Sequence, residues 1–198
     1  MPAILIRDRR LAGLNQLSLN QLLPPVARRD WLPARHAAEE PTMTTAFTPN
    51  VAAHANLAPL ASRLVHARDL PWTPIRFPGC FVKTLLIDPA SGLATVLLKM
   101  EPGAELPDHE HVLLEQTYML EGRLVDKAGP DTGTAAGPGD FIWRPPGSRH
   151  AAWTPEGGLM LAMFQIPNKF FEADGGIVDQ LGDDWGPKWS AALAKHLG

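Results

Sequence analysis

Between Leu70 and Phe164 no apolar run travels far before a glycine or proline stops it, and that punctuation most constrains the fold. The stops are Pro78-Gly79, Pro89 to Gly92, Pro102-Gly103, Gly122, Gly137 to Gly139, Pro145 to Gly147 and Gly157-Gly158. The pieces between them are too short for stable helices. They predict strands over 73–77, 81–87, 94–100, 116–120, 123–125, 141–143, 150–153 and 159–164. Short strands at this regular spacing specify an all-β sandwich or a single antiparallel barrel. No internal repeat is present, so one barrel is expected and not a tandem pair.

The flanks read differently. Residues 1–42 carry six arginines, no lysine and scattered prolines (Pro24, Pro25, Pro33, Pro41), and are expected to be a poorly ordered leader. Met43 offers a second start, so the leader is also a candidate for sequence outside the native start. Residues 43–69 are a short helical lead-in, with a helix over 51–66 broken near Pro59. The barrel is assigned to 70–165 and a tail with a short helix to 166–198, where Pro187 suits a helix start and Trp189 and Leu193 form one apolar stripe.

Bulk properties exclude several classes. A net charge of -3 and a pI near 6.1 favour neither nucleic acid nor an anionic membrane. No apolar run reaches the roughly 18 residues of a membrane span. The lone Cys80 permits no intrachain disulfide and suits a reducing cytoplasm; within GCFV it reads as a buried small hydrophobe, not a nucleophile. A chain of 198 residues can bury a core unaided, so any metal serves chemistry or sensing rather than folding.

Such a site is legible. His109 and His111 are two apart, so on a strand both imidazoles share a face. Glu115 follows after about a turn of chain and can bring a carboxylate to the same point. His150 opens a strand after the Pro145-Pro146-Gly147 turn, and a return beside the first segment would bring it to the pair. Three imidazoles and a carboxylate suit one divalent transition metal, Fe(II), Mn(II), Ni(II), Cu(II) or Zn(II), and are too nitrogen-rich for Mg or Ca.

These two segments resemble the two motifs of the cupins. Gly103, His109, His111, Glu115 and Gly122 match the first, and Gly139, Pro145, Gly147 and His150 the second. The chain departs only at Thr154, where the pattern has an asparagine. The resemblance covers roughly 70–165 and implies a single conical double-stranded β-helix (jelly-roll) barrel, a metal near its wide mouth and frequently a homodimer. It also implies His109, His111, Glu115 and His150 as ligands, with Glu115 a catalytic candidate. EQTYMLEG, FIWRPPGSRH and IPNKFFE further resemble the ChrR-type group. That group is similar to iron-dependent acetylacetone and dihydroxyacetophenone dioxygenases, which cleave C–C bonds with O2, and includes zinc-binding sensors. Acetylacetone-cleaving enzymes use three histidines without the carboxylate, so Glu115 departs from them and agrees better with the hydroxyketone enzyme.

Other residues carry simpler expectations. Glu110 should face away from the two histidines. Thr117 and Met119 share Glu115's parity and are pocket candidates, while Tyr118 should face outward. Phe141 and Trp143 are expected to pack in the core, one walling the cavity, and Arg144 and Arg149 are expected to be solvated charges. His36, His54, His66 and His196 read as surface residues. The functional expectation is an Fe(II) dioxygenase acting on a small β-diketone or hydroxyketone with O2. A zinc sensor without turnover and a non-oxygenase cupin such as an isomerase are the rivals. Residues 44–66 are too slight for a sigma-binding domain, which counts against the sensor.

Overall fold

Alternation in the strand over Leu93–Met100 sets the pattern for the barrel: Ala94, Val96, Leu98 and Met100 are buried and the residues between them are not. The computed structural model describes residues 44–197; the expected leader lies outside them. Two short 3-10 turns come first, Ala52–Asn56 and Ala67–Asp69. The first ends well before Pro59, so the lead-in is shorter and tighter than the helix expected over 51–66.

Twelve strands follow: β1 (Thr73–Pro74), β2 (Cys80–Asp88), β3 (Leu93–Met100), β4 (Glu105–Glu110), β5 (Glu115–Gly122), β6 (Leu124–Ala128), β7 (Ala135–Ala136), β8 (Phe141–Arg144), β9 (Arg149–Trp153), β10 (Gly158–Phe164), β11 (Lys169–Phe171) and β12 (Ile177–Val178). They form two six-stranded sheets with orders β1-β2-β3-β10-β5-β8 and β12-β11-β4-β9-β6-β7, every pairing antiparallel. The core joins both sheets: Val96, Leu98, Met119 and Met160 come from the first, Leu124, Ala152 and Phe170 from the second. The chain is thus all-β, a jelly-roll barrel closed around one apolar interior.

Helix α1 (Trp185–Leu197) closes the C-terminal end. Trp189 and Ala192 bury its apolar stripe beside Ile166, and Leu193 packs partly against the same cluster. Its anchor is Asp179, fully buried, which accepts from Trp189 Nε1 at 3.0 Å and Lys188 Nζ at 2.8 Å.

Four strands, β4, β7, β11 and β12, have no counterpart among those expected from apolar runs. β4 contains Pro107 and polar residues, and its register against β9 slips between Leu106 and His109. β7 is two residues long. Cys80 is buried as expected, and burial raises its thiol to about 11, far from a reactive thiolate.

The β5–β6 corner depends on Gly122. Its φ is 69°, and a Cβ there would stand 2.0 Å from the Gly157 carbonyl oxygen. Gly122→Ala therefore combines left-handed strain with a backbone clash, about 2–5 kcal/mol together. The expected result is a melting temperature lower by about 5–15 °C; an unchanged one would show that the corner relaxes freely.

Candidate metal centre

The second sheet brings the three histidines together. β4 pairs with β9 so that His109 stands directly opposite His150. His111 lies one residue past β4, held there by its backbone N–H to the Ser148 carbonyl (2.9 Å) and by its own carbonyl, which accepts from Gly147 N (2.7 Å). The Pro-Gly turn therefore fixes His111 as well as launching β9. All three side chains are buried, and one ligand nitrogen from each lies within 4.8 Å of the others.

Each ring is held from behind. His109 Nδ1 meets the Pro107 carbonyl at 2.7 Å, and His150 Nδ1 meets Asp126 Oδ1 at 2.8 Å. Both partners are acceptors, so both Nδ1 atoms donate and both Nε2 atoms are left with lone pairs. His111 Nε2 lies 2.9 Å from His150 Nε2. On the far side of the same ring, His111 Nδ1 lies 3.1 Å from Glu115 Oε2, close enough for an ion pair though not aligned as a hydrogen bond. A proton on Nδ1 faces the carboxylate favourably; a lone pair there would face it unfavourably. With the proton on Nδ1, three Nε2 lone pairs converge, and that donor set fits a divalent transition metal.

Asp126 is itself clamped. Arg144 Nη2 donates to both of its oxygens at 2.8 and 3.1 Å, with 8% and 5% of the two side chains exposed. Burial works against ionising Asp126, but its bond to His150 and the Arg144 charge prevail and hold its pKa below the ordinary value. Arg144 is therefore not the solvated charge that sequence suggests. β8 pairs with β5 in the register Glu115↔Arg144 and Thr117↔Ile142, which turns Arg144 inward. The same parity turns Phe141 and Trp143 outward, 53% and 60% exposed, so neither packs in the core or walls the cavity.

Other placements follow the expected parity. Thr117 lines the cavity, Met119 is buried in the core beside it, and Tyr118 faces out. Glu110 turns from the centre and pairs with Lys169 Nζ at 3.0 Å. Arg149 is half-exposed and pairs with Asp108.

The cavity bordered by His109 and His150 is about 160 Å3, well below the roughly 300–1,000 Å3 of drug-sized sites. Its wall is largely apolar, including Val96, Leu98, Leu106 and Phe164, with polar groups from Glu115, Thr117, Arg144 and Asn168. Glu115 accepts from Thr117 Oγ1 (3.3 Å) and from Asn168 Nδ2 (3.2 Å). Asp126, Arg144 and Asn168 escape sequence reasoning. Arg144 and Asn168 fall within FIWRPPGSRH and IPNKFFE, but nothing in those runs marks their roles, and the inward parity of Asp126 in β6 and Arg144 in β8 is visible only once the register is known.

Burial drives His109 down to about 3, with the neighbouring His111 and His150 adding to it. Burial opposes the ionisation of Glu115, yet the adjacent His111, with His109 and Asn168, holds it at about 2. Both shifts act in one direction. Unfolded His109 takes up a proton below about 6.5 while the folded ring stays neutral to about 3, so stability falls with pH across that window. Unfolded Glu115 likewise gains a proton below about 4.5, while the folded carboxylate holds out to about 2. Chelator-treated protein should lose up to about 1.4 kcal/mol per pH unit from His109 below pH ~6.5, more steeply once Glu115 joins. Denaturant titrations at pH 7, 5.5 and 4 check this, and a flat profile would contradict it.

A jelly-roll barrel with two histidines from one segment and a third from the facing strand defines the cupin class. Residues 61–169 match the ChrR cupin-like domain, and the chain belongs to that family. Among solved structures it is similar to a candidate acetylacetone dioxygenase from Methylibium petroleiphilum, at 20% identity and TM-score 0.55, over 68% of this chain and 99% of that one. It is similar too to an acetylacetone dioxygenase from Acinetobacter johnsonii, at 18% identity and TM-score 0.51, over 83% and 98%. An RmlC-like cupin from Ralstonia eutropha aligns at 20% identity and TM-score 0.54, over 69% and 85%. At these identities the likeness establishes the fold. No curated protein matches the chain.

Proposed function

We propose that this chain is a non-haem Fe(II) dioxygenase that cleaves a C–C bond of a small β-diketone or hydroxyketone. The observation that carries the reading is the convergence of three buried imidazoles, two of which, His109 and His150, line a small, mostly apolar cavity. Iron held there would supply the one-electron chemistry that O2 requires. The rest is the protein's part. Three protein ligands leave room for a substrate that chelates through two oxygens. The apolar wall keeps bulk water from the reacting carbons. Pro107, Asp126 and Glu115 hold the three rings so that each presents Nε2 inward. The reading carries with it a cytoplasmic setting and a homodimer.

Glu115 has two roles open to it, and they differ in outcome. As the group behind His111 it sets the ring's tautomer; as a fourth ligand it would bind the metal itself. The contact with Nδ1, on the ring edge away from the other histidines, favours the first. Glu115→Gln is then expected to lower metal affinity about 10–100-fold yet still load fully under excess metal. Failure to load at any metal concentration would make Glu115 a ligand.

The activity is tested with an oxygen electrode. Iron-loaded protein, its iron per chain measured in the same sample, should consume O2 only when a chelating ketone is added. The zinc-loaded form should not, because zinc has no redox chemistry. No uptake across diketones, hydroxyketones and catechols would overturn the dioxygenase reading in favour of a sensor or an isomerase.

A further inference from the structure

Exposure along the wall shows where the cavity opens. The wall is drawn from residues between 75 and 170, with two more, Gln180 and Leu181, from the turn between β12 and α1. Among the described residues that line it, Leu181 alone is exposed, at 57%. A side chain that borders both the interior space and the solvent stands where the two meet. The turn that presents it is tied down. Gly182 N donates to the Asp179 carbonyl at 2.9 Å and closes the turn, with Gly182 at a φ of 92°. Asp179, fully buried at the base, accepts from Leu181 N at 2.8 Å and Asp183 N at 3.2 Å, while Lys188 and Trp189 of α1 hold its other oxygen. A backbone tied at these points leaves the Leu181 side chain as the part free to move, and exposed side chains change rotamer within nanoseconds.

We infer that Leu181 is the gate of this cavity: the entrance lies beneath its side chain, and a ligand is admitted when that side chain swings aside. The inference rests on the proposed function only in taking this cavity as the substrate's. Leu181 is then a specificity-determining residue that acts through the size and rate of what enters, and not by touching the reacting atoms. An apolar gate suits the space behind it. The wall within is mostly apolar too, so a compact ligand with an apolar body passes without stranding a polar group. Trimming the side chain at this position opens the entrance and leaves the interior alone. Val96, Leu98 and Met160, which shape that interior, are placed by β3 and β10 and not by the turn.

Fluorobenzene is the probe, because an apolar cavity of about 150 Å3 takes up benzene and this ring has no oxygen with which to chelate a metal. Its exchange with zinc-loaded, full-length protein is followed by fluorine NMR, which gives the association rate, the dissociation rate and the affinity together. A gate sets the barrier and not the end states. Leu181→Ala is therefore expected to raise both rates about tenfold, the effect of about 1.4 kcal/mol off the entry barrier, with the affinity unchanged within about threefold. Leu181→Trp should slow both rates by a similar factor. Exclusion of the probe by the wild type with entry into Leu181→Ala would support the gate as well. Unchanged rates in both variants would place the entrance elsewhere and overturn it. So would a change in affinity carried by the dissociation rate alone, which marks a residue of the wall. Exclusion by the wild type and both variants would overturn it too. Since the probe neither chelates nor reacts, none of these results touches the ketone reading, which falls separately if iron-loaded protein takes up no O2.

Discussion

His150→Ala is expected to leave the purified protein with far less than one metal ion per chain. Three imidazoles supply the converging nitrogens, and none of the other described residues adds a ligand atom to that group. Zinc held by a full set of protein ligands is bound with about 10–16 kcal/mol. Removing one of three ligands should cost on the order of 3 kcal/mol or more, at least a hundredfold in affinity. His109→Ala and His111→Ala should behave alike. Metal analysis after purification without chelator, followed by competition with a chelator of known affinity, measures the loss. The fold should survive, because the core of both sheets is built from Val96, Leu98, Met119, Met160 and Ala152, not from the histidines. A variant that keeps stoichiometric metal at wild-type affinity would remove that histidine from the site.

Arg144→Leu is expected to destabilise the protein by about 3–5 kcal/mol, which lowers the melting temperature by about 6–20 °C. The substitution leaves Asp126 buried with His150 as its remaining partner. The double variant Arg144→Leu with Asp126→Leu separates stability from function. Replacing a buried ion pair by apolar groups of similar size is often neutral for stability, so the melting temperature should largely return. Metal affinity should not return. Without Asp126 nothing accepts from His150 Nδ1, and the ring is free to turn or to change tautomer, a loss of about 10–100-fold. Calorimetric melting and metal competition on both variants check the pair of outcomes. A double variant with full metal affinity would show that Asp126 matters to the fold alone.

Sequence reveals the candidate metal ligands better than what holds them. His109, His111 and His150 stand out because glycine and proline turns fence both segments, and turn chemistry is local. The clamp behind His150 is not local. Asp126, Arg144 and His150 come from β6, β8 and β9, and meet only once the strand registers are set. Within FIWR, hydrophobicity points to the aromatic residues as the buried pair, and it points the wrong way. The register against β5 sends Ile142 and Arg144 inward, and Asp126 accepts the charge that arrives. Parity within β5 was readable because Glu115 anchors it: Thr117 and Met119 turn in and Tyr118 turns out. β4 is hard to see for a different reason. Pro107 interrupts its ladder and its register slips, yet the Pro107 carbonyl is what seats His109. Asn168 lies within the IPNKFFE run, but its bond to Glu115 appears only once the turn after β10 is placed beside β5.

The account stands or falls on one metal ion held by three imidazoles. A crystal structure of iron-loaded protein, with anomalous scattering recorded at the iron edge, tests it most directly. A single anomalous peak within bonding distance of His109, His111 and His150 Nε2, with His150 Nδ1 still on Asp126, is the predicted result. Iron bound elsewhere on the chain, or a peak that touches fewer than three of these nitrogens, would contradict it.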